Sequence, residues 1–245
     1  VLTGQIGSGK STISAIVNKM HGAVIDTDLV SRQLQKPGQK CLKQLVKSFG
    51  QEILNDEKEL NRAKLAEIAF SDPQKLKMLN QIMHKQISRR TFIEICKILF
   101  NFNYKPGQIF GLHPDFRFVA NPRFICVEVP LYFEARLNFH CPVINVGVSD
   151  QEELKQRIEK RDGKQGVKRL ESQLSLENRE QLADFCIRND LKEETEQKVL
   201  TVLAKIEAQK GGILENVKNW VAVFVIVVMG IFVVILAKIR RGMEK

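Results

Sequence analysis

The chain has 245 residues, with 38 Lys+Arg against 28 Asp+Glu and a formal net charge of +10. All but the last thirty or so suit one α/β domain of about 215 residues, enough to bury a core without disulfides or structural metal. The five cysteines (Cys41, Cys96, Cys126, Cys141, Cys186) form no CxxC pair and no Cys/His ligand spacing, and aromatics are not interleaved with the basic residues, which argues against a metal framework and a nucleic-acid patch.

No secretory signal opens the chain. It begins without methionine, already inside an apolar run, so a few residues are expected to precede Val1. In chain order the pattern predicts a strand over 1–3, a helix over 10–20, a strand over 22–26 and helices over 27–35, 39–48, 62–70 and 73–100. Strands over 124–130 and 142–148 follow, then helices over 150–161, 166–174, 176–184 and 194–209. Short apolar strands alternating with helices indicate a parallel sheet covered on both faces.

Between the first strand and the first helix stands GQIGSGKST, in which Gly4, Gly9, Lys10 and Ser11 fit G-x-x-x-x-G-K-[ST]. That spacing, after an apolar strand and before a helix, is a phosphate loop. Glycines let successive N–H groups turn toward a phosphate, and the helix adds the positive end of its dipole. Lys10 reaches the outer phosphates, and the Ser11 hydroxyl can ligate Mg²⁺. A Gly-rich helix cap is the alternative. No aspartate is followed three residues later by glycine and no guanine-reading motif is present, which excludes a small GTPase.

The next strand ends in VIDTD, so Asp26 and Asp28 fall at the carboxyl end of a strand, where α/β folds bind ligands. One could accept a proton while the other holds or orients Mg²⁺, or one could simply cap the helix that follows.

At this point LTGQIGSGKST, VIDTDLVSRQL, FGQEILNDEKELNRAKLAEIAF, LNQIMHKQI, VPLYFE and RLESQLSLENREQLADFCIRN stand in the order and spacing of one family. Over Leu2 to Asn189 the chain resembles the dephospho-coenzyme A kinases, and its hydrophobic end resembles their animal form. The resemblance implies a P-loop kinase, α/β with a parallel sheet flanked by helices, that uses ATP and Mg²⁺ to phosphorylate the ribose 3′-hydroxyl of dephospho-CoA. By the same resemblance Gly4, Gln5, Ile6, Gly7, Ser8, Gly9, Lys10, Ser11 and Thr12, with Asn189 near the adenine, hold the nucleotide. Asp28 falls at the general base, and Ser11 with Asp26 at the metal. Arg32, Arg62, His84, Pro130, Leu131, Glu134 and Arg169 fall on the acceptor side. The lid arginine maps to Arg161 or Arg157, one helical turn apart. Without the family, His84 reads as a core histidine and the arginines as solvated helix faces. Tyr132 replaces a usual leucine in what should be the acceptor pocket.

Two segments depart from the family. Residues 102–122, with three of the seven prolines, read as a long loop foreign to the pattern, an intron-derived insert rather than a functional one. Trp220 to Ala237 is a run of 18 residues without charge, flanked by Lys218 and by Lys238, Arg240 and Arg241. It predicts a transmembrane helix. The expected organisation is therefore a kinase domain over 1–210, a linker over 211–219, a membrane span over 220–237 and a basic tail over 238–245. The kinase would face the cytosol from the mitochondrial outer membrane, or alternatively the endoplasmic reticulum. The competing functions are another small-molecule P-loop kinase and a membrane-anchored, catalytically weak nucleotide-binding homologue.

Overall fold

A computed structural model describes residues 1–99, 111–112 and 122–209. Its sheet has five parallel strands, β1 (Leu2–Gly4), β2 (Gly22–Asp26), β3 (Phe124–Glu128), β4 (Ile144–Gly147) and β5 (Phe185–Arg188), in the order β2-β3-β1-β4-β5. Every residue of β1 and β4 is buried, the polar Thr3 and Asn145 included, as central parallel strands covered by helices on both faces must be. From β1 the chain passes through α1 (Lys10–Lys19) to β2 at one edge, returns in β3, and then continues on the far side of β1 in β4. The carboxyl end of β1 is therefore the switch point, where the connections part and leave a crevice for ligand.

The second edge strand, β5, is absent from the sequence-based elements. Only Ile187 of its four residues is buried, too little for a periodic signal. Helix starts follow ordinary capping chemistry: Asn61, Asp150 and Ser175 each accept an amide hydrogen bond at the heads of α4 (Arg62–Phe70), α6 (Gln151–Glu171) and α7 (Leu176–Leu182). The gap expected between the helices over 150–161 and 166–174 falls within α6, where DGKQG (162–166) begins and Gly163 has φ 64° and ψ −163°.

On the β2 side, α2 (Thr27–Leu34), α3 (Lys40–Phe49), a 3-10 turn (Gln51–Ile53), α4 and the long α5 (Pro73–Leu99) enclose one apolar cluster. Ile25, Val30, Leu45, Ile53 and Met83 lie at its centre. Cys41 is buried there, with Sγ 3.8 Å from Met83 Sδ, and all five cysteines are free. The chain divides into two compact units, Val1–Val199 and Leu200–Lys245. The first contains the entire sheet. The second is described over 200–209 and is helical to Ala208, the end of α8 (Lys192–Ala208).

The structure corrects the membrane part of the expected fold. Among the described residues no helix is long and apolar enough to cross a membrane. The longest two, α5 and α6, carry charged residues throughout their length. The expected span over 220–237, its linker 211–219 and the tail 238–245 lie outside the described residues. No described helix supplies the span that the bilayer contact and the mitochondrial or endoplasmic reticulum address require, and both are withdrawn with it.

Candidate active site

The loop between β1 and α1 folds around its own lysine. Lys10 Nζ donates to the Gly4 and Gln5 carbonyls at 3.0 and 2.9 Å. Gly9 heads α1 with φ 86°, and a Cβ there would lie 2.0 Å from Asn189 Nδ2, so both backbone angle and space demand glycine. Asn189 donates to the Ser8 carbonyl at 3.0 Å and is itself held by Thr195 Oγ1, which donates to Asn189 Oδ1 at 2.9 Å. From the other side the Ile6 amide donates to Gln173 Oε1 at 2.9 Å. Gly7 and Thr12 complete the run, and Ser11 is exposed in the first turn of α1. Leading N–H groups of a helix have no partner within it and favour an anion. Ser8 Oγ is buried with no partner, and this orphan hydroxyl, the glycine-only cradle and the helix head together fit nucleotide phosphates.

Two carboxylates, Glu128 and Asp28, bring their charge to the loop lysine, and a third, Asp26, stands beside them. In the parallel register Asp26 pairs with Glu128, and Glu128 with Leu2. Asp26 Oδ1 accepts from the Asp28 and Leu29 amides at 2.7 and 3.3 Å, so Asp26 is the cap of α2. Asp28 is still reached by solvent, yet lost hydration raises its pKa; Asp26 raises it further, and Arg32 and Lys10 oppose the rise. Burial also lifts Glu128, although Ser14 Oγ donates to its Oε2 at 2.8 Å. Burial pulls Lys10 below its ordinary value, and the Glu128 charge opposes that most. Glu128 is a residue the sequence reading misses. An acid closing an otherwise apolar core strand was the available signal, and it gains meaning only once register sets it beside Asp26.

Of the acceptor-side candidates, Arg32 and Arg62 are both exposed, and Arg62 Nε donates to Gln35 Oε1 at the end of α2 at 3.3 Å. His84 is exposed on α5, not a core histidine, beside the buried Met83. Pro130 accepts from Thr3 Oγ1 at 3.3 Å and Leu131 is exposed. Tyr132 belongs to a core cluster with Val127, Val129 and Val143, and its hydroxyl accepts from the Phe139 amide at 3.1 Å. The Glu134 carboxylate is taken by Arg179, a fully buried side chain of α7, and also accepts from the Leu174 amide at 3.0 Å. Arg179 is the second residue missed, because LENREQL reads as a solvated helix.

On α6, Arg157 pairs with Glu153 four residues earlier, and Arg161 binds Asp162 at 3.0 and 2.7 Å. That hydrogen bond raises the Arg161 pKa and lowers that of Asp162. The Arg161 charge is felt at Lys10 and lowers its pKa further. Arg169 is exposed and adds its charge at Asp162.

A phosphate loop, its lysine and three carboxylates at the switch point of a parallel sheet define a P-loop phosphotransferase. A family model for dephospho-CoA kinase matches residues 1–104. A dephospho-CoA kinase of Oryza sativa is 32% identical over 210 residues, 84% of this chain and 83% of that protein. A dephospho-CoA kinase domain-containing protein of Danio rerio is 31% identical over 84% of each chain. The structure of dephospho-CoA kinase from Campylobacter jejuni superposes with a TM-score of 0.55 at 26% identity, over 84% of this chain and 94% of that one. The chain belongs to the dephospho-CoA kinase family, whose members use ATP.

Proposed function

We propose that this protein transfers the γ-phosphoryl group of ATP to the ribose 3′-hydroxyl of dephospho-CoA, giving coenzyme A and ADP. The observation that carries this reading is the meeting of Lys10 with Asp28 and Glu128: a phosphate-binding lysine and two carboxyls with raised pKa values stand where β1, β2 and β3, grouped in the sheet as β2-β3-β1, come to their ends. Asp28 accepts the proton of the 3′-hydroxyl as that oxygen bonds to the γ-phosphorus, and the bond from phosphorus to the β,γ-bridging oxygen breaks. A base pKa lifted toward neutrality suits that transfer better than an ordinary aspartate would.

Lys10 leaves the Gly4 and Gln5 carbonyls for phosphate oxygens, which are stronger, charge-assisted acceptors. Gly4 through Thr12 and Asn189 hold the nucleotide. Arg161, with Arg157 one turn away, offsets charge on the transferring group from α6. Arg32 and Arg62, joined through Gln35, together with His84, Pro130, Leu131 and Arg169, border the acceptor, while Glu134 serves as the partner that holds Arg179. The Asp26 charge raises the pKa of both Asp28 and Glu128, a repulsion that a divalent cation held at Asp26 would relieve. Ser11 and Asp26 would hold Mg²⁺, which would draw charge off the phosphates. Residues 1–210 carry the activity.

The test is CoA formation by the full chain from ATP, Mg²⁺ and dephospho-CoA, beside an Asp28→Asn variant. The expected result is turnover by the parent and a loss of about 10²–10⁴-fold in the variant. No CoA from a chain that binds ATP, or phosphorylation of a different acceptor in a panel of nucleosides and nucleotides, would overturn the assignment.

A further inference from the structure

The β2 strand is an edge of the sheet, and an edge strand presents a row of amides with no neighbour to receive them. Here one of these amides is taken. Asp26 N donates to the Gly111 carbonyl at 2.9 Å, and Ile25 forms an antiparallel bridge with Leu112. The Gly111 amide donates in turn to Gln33 Oε1 at 2.7 Å. Gly111 is buried with φ +80°, and a Cβ on it would lie 2.4 Å from Val30 Cγ2 and 2.9 Å from the Asp26 carbonyl oxygen. Both angle and space reserve this seat for glycine. Leu112 packs against the apolar cluster beneath α2.

Gly111 thus grips α2 at both ends. One bond reaches Asp26, the cap before its first turn, and the other reaches Gln33 in its last turn. Between these points lie Asp28 and Arg32. A helix of eight residues has little stability of its own and takes its position from what it is tied to. The loop that the sequence sets apart from the family pattern therefore delivers two residues to the backbone that carries the carboxylates.

We propose that Gly111, acting with Gln33, is a positioning residue for phosphoryl transfer: it holds the junction of β2 and α2 so that Asp28 meets the acceptor hydroxyl. This rests on the reading of Asp28 as the base. The phosphate loop belongs to β1 and α1, so the clasp acts on chemistry and acceptor alignment and leaves ATP binding alone.

The experiment uses the full chain with Asp28 intact, in Gly111→Val and Gln33→Leu variants. Hydrogen exchange at the Asp26 amide is measured, along with kcat and both KM values. In Gly111→Val the Asp26 amide should exchange at least about 10-fold faster. Its kcat should fall about 10-fold or more with KM for ATP within about twofold of the parent, since small misplacements of a reacting group are costly. Gln33→Leu should show a smaller loss of kcat in the same direction with an unchanged melting temperature, and it decides the matter if Gly111→Val does not fold. An Asp26 amide that exchanges at the parent rate in Gly111→Val, or an unchanged kcat in both variants, would overturn the clasp. So would a loss of ATP affinity that matches the loss of kcat. Failure of the base reading shows elsewhere, as retained activity in Asp28→Asn.

Discussion

Asp28 is lifted by two influences and held down by two others. Lost hydration and the neighbouring Asp26 raise its pKa, while Arg32 and Lys10 oppose them. A base works only when deprotonated, so kcat/KM should fall as pH drops through this raised pKa, and the acid limb should lie above that of an ordinary aspartate. Asp26→Asn removes a like charge, which lowers the Asp28 pKa, and the limb should move to lower pH. Asparagine still caps a helix well, so α2 should persist in that variant. A pH profile of kcat/KM for parent and variant checks this, and a limb that stays in place would assign it to another group. The sequence could offer two carboxylates two residues apart but not divide their work. That division depends on which side chain turns back to the Asp28 and Leu29 amides, a matter of backbone angle at Asp26.

At the level of elements, the strands and helices were legible wherever local pattern decides them: β2 spans 22–26 as periodicity predicts, and Gly163 breaks α6 where DGKQG interrupts the pattern. Relations between elements were not legible. Arg179 in α7 and Glu134 after β3 stand 45 residues apart, and nothing in LENREQL or VPLYFE announces that one guanidinium will be wholly buried on the other's carboxylate. Its Nη1 lies 3.4 Å from Thr3 Oγ1, and its Cζ lies 5.8 Å from the Phe133 ring centroid, so the pair fastens α7 to β1 and to the segment after β3. Breaking a buried pair strands the remaining charge. Arg179→Leu should therefore lower stability by about 3–5 kcal/mol in urea unfolding, whereas removing both charges in Arg179→Leu/Glu134→Leu should cost less than the single change. If the double variant is the less stable, the pair contributes by packing rather than by compensating charge.

Across the whole molecule, the site is a product of strand order. Lys10 follows β1, Asp28 follows β2, Glu128 closes β3 and Asn189 follows β5; parallel strands put all four at one end of the sheet, and the order β2-β3-β1-β4-β5 sets β1, with its phosphate loop, between the strands that carry the others. Pattern alone gave the parallel sheet but not that order, because crossover connections leave no periodicity in sequence. All four residues lie within the unit Val1–Val199, and so do Arg161, Gln173 and the Gly111–Leu112 contact. The helix that follows β5 runs on to Ala208. A chain ended after Gln209 keeps every element that places a group of the proposed site, and a unit with its own core folds independently. Such a chain should form CoA with kcat within about twofold of the full chain and an unchanged KM for dephospho-CoA. Steady-state kinetics of the two forms decides the point. A loss of kcat with unchanged stability would assign residues 210–245 a share in catalysis, whereas a parallel loss of both would extend the folding unit beyond the sheet and its helices.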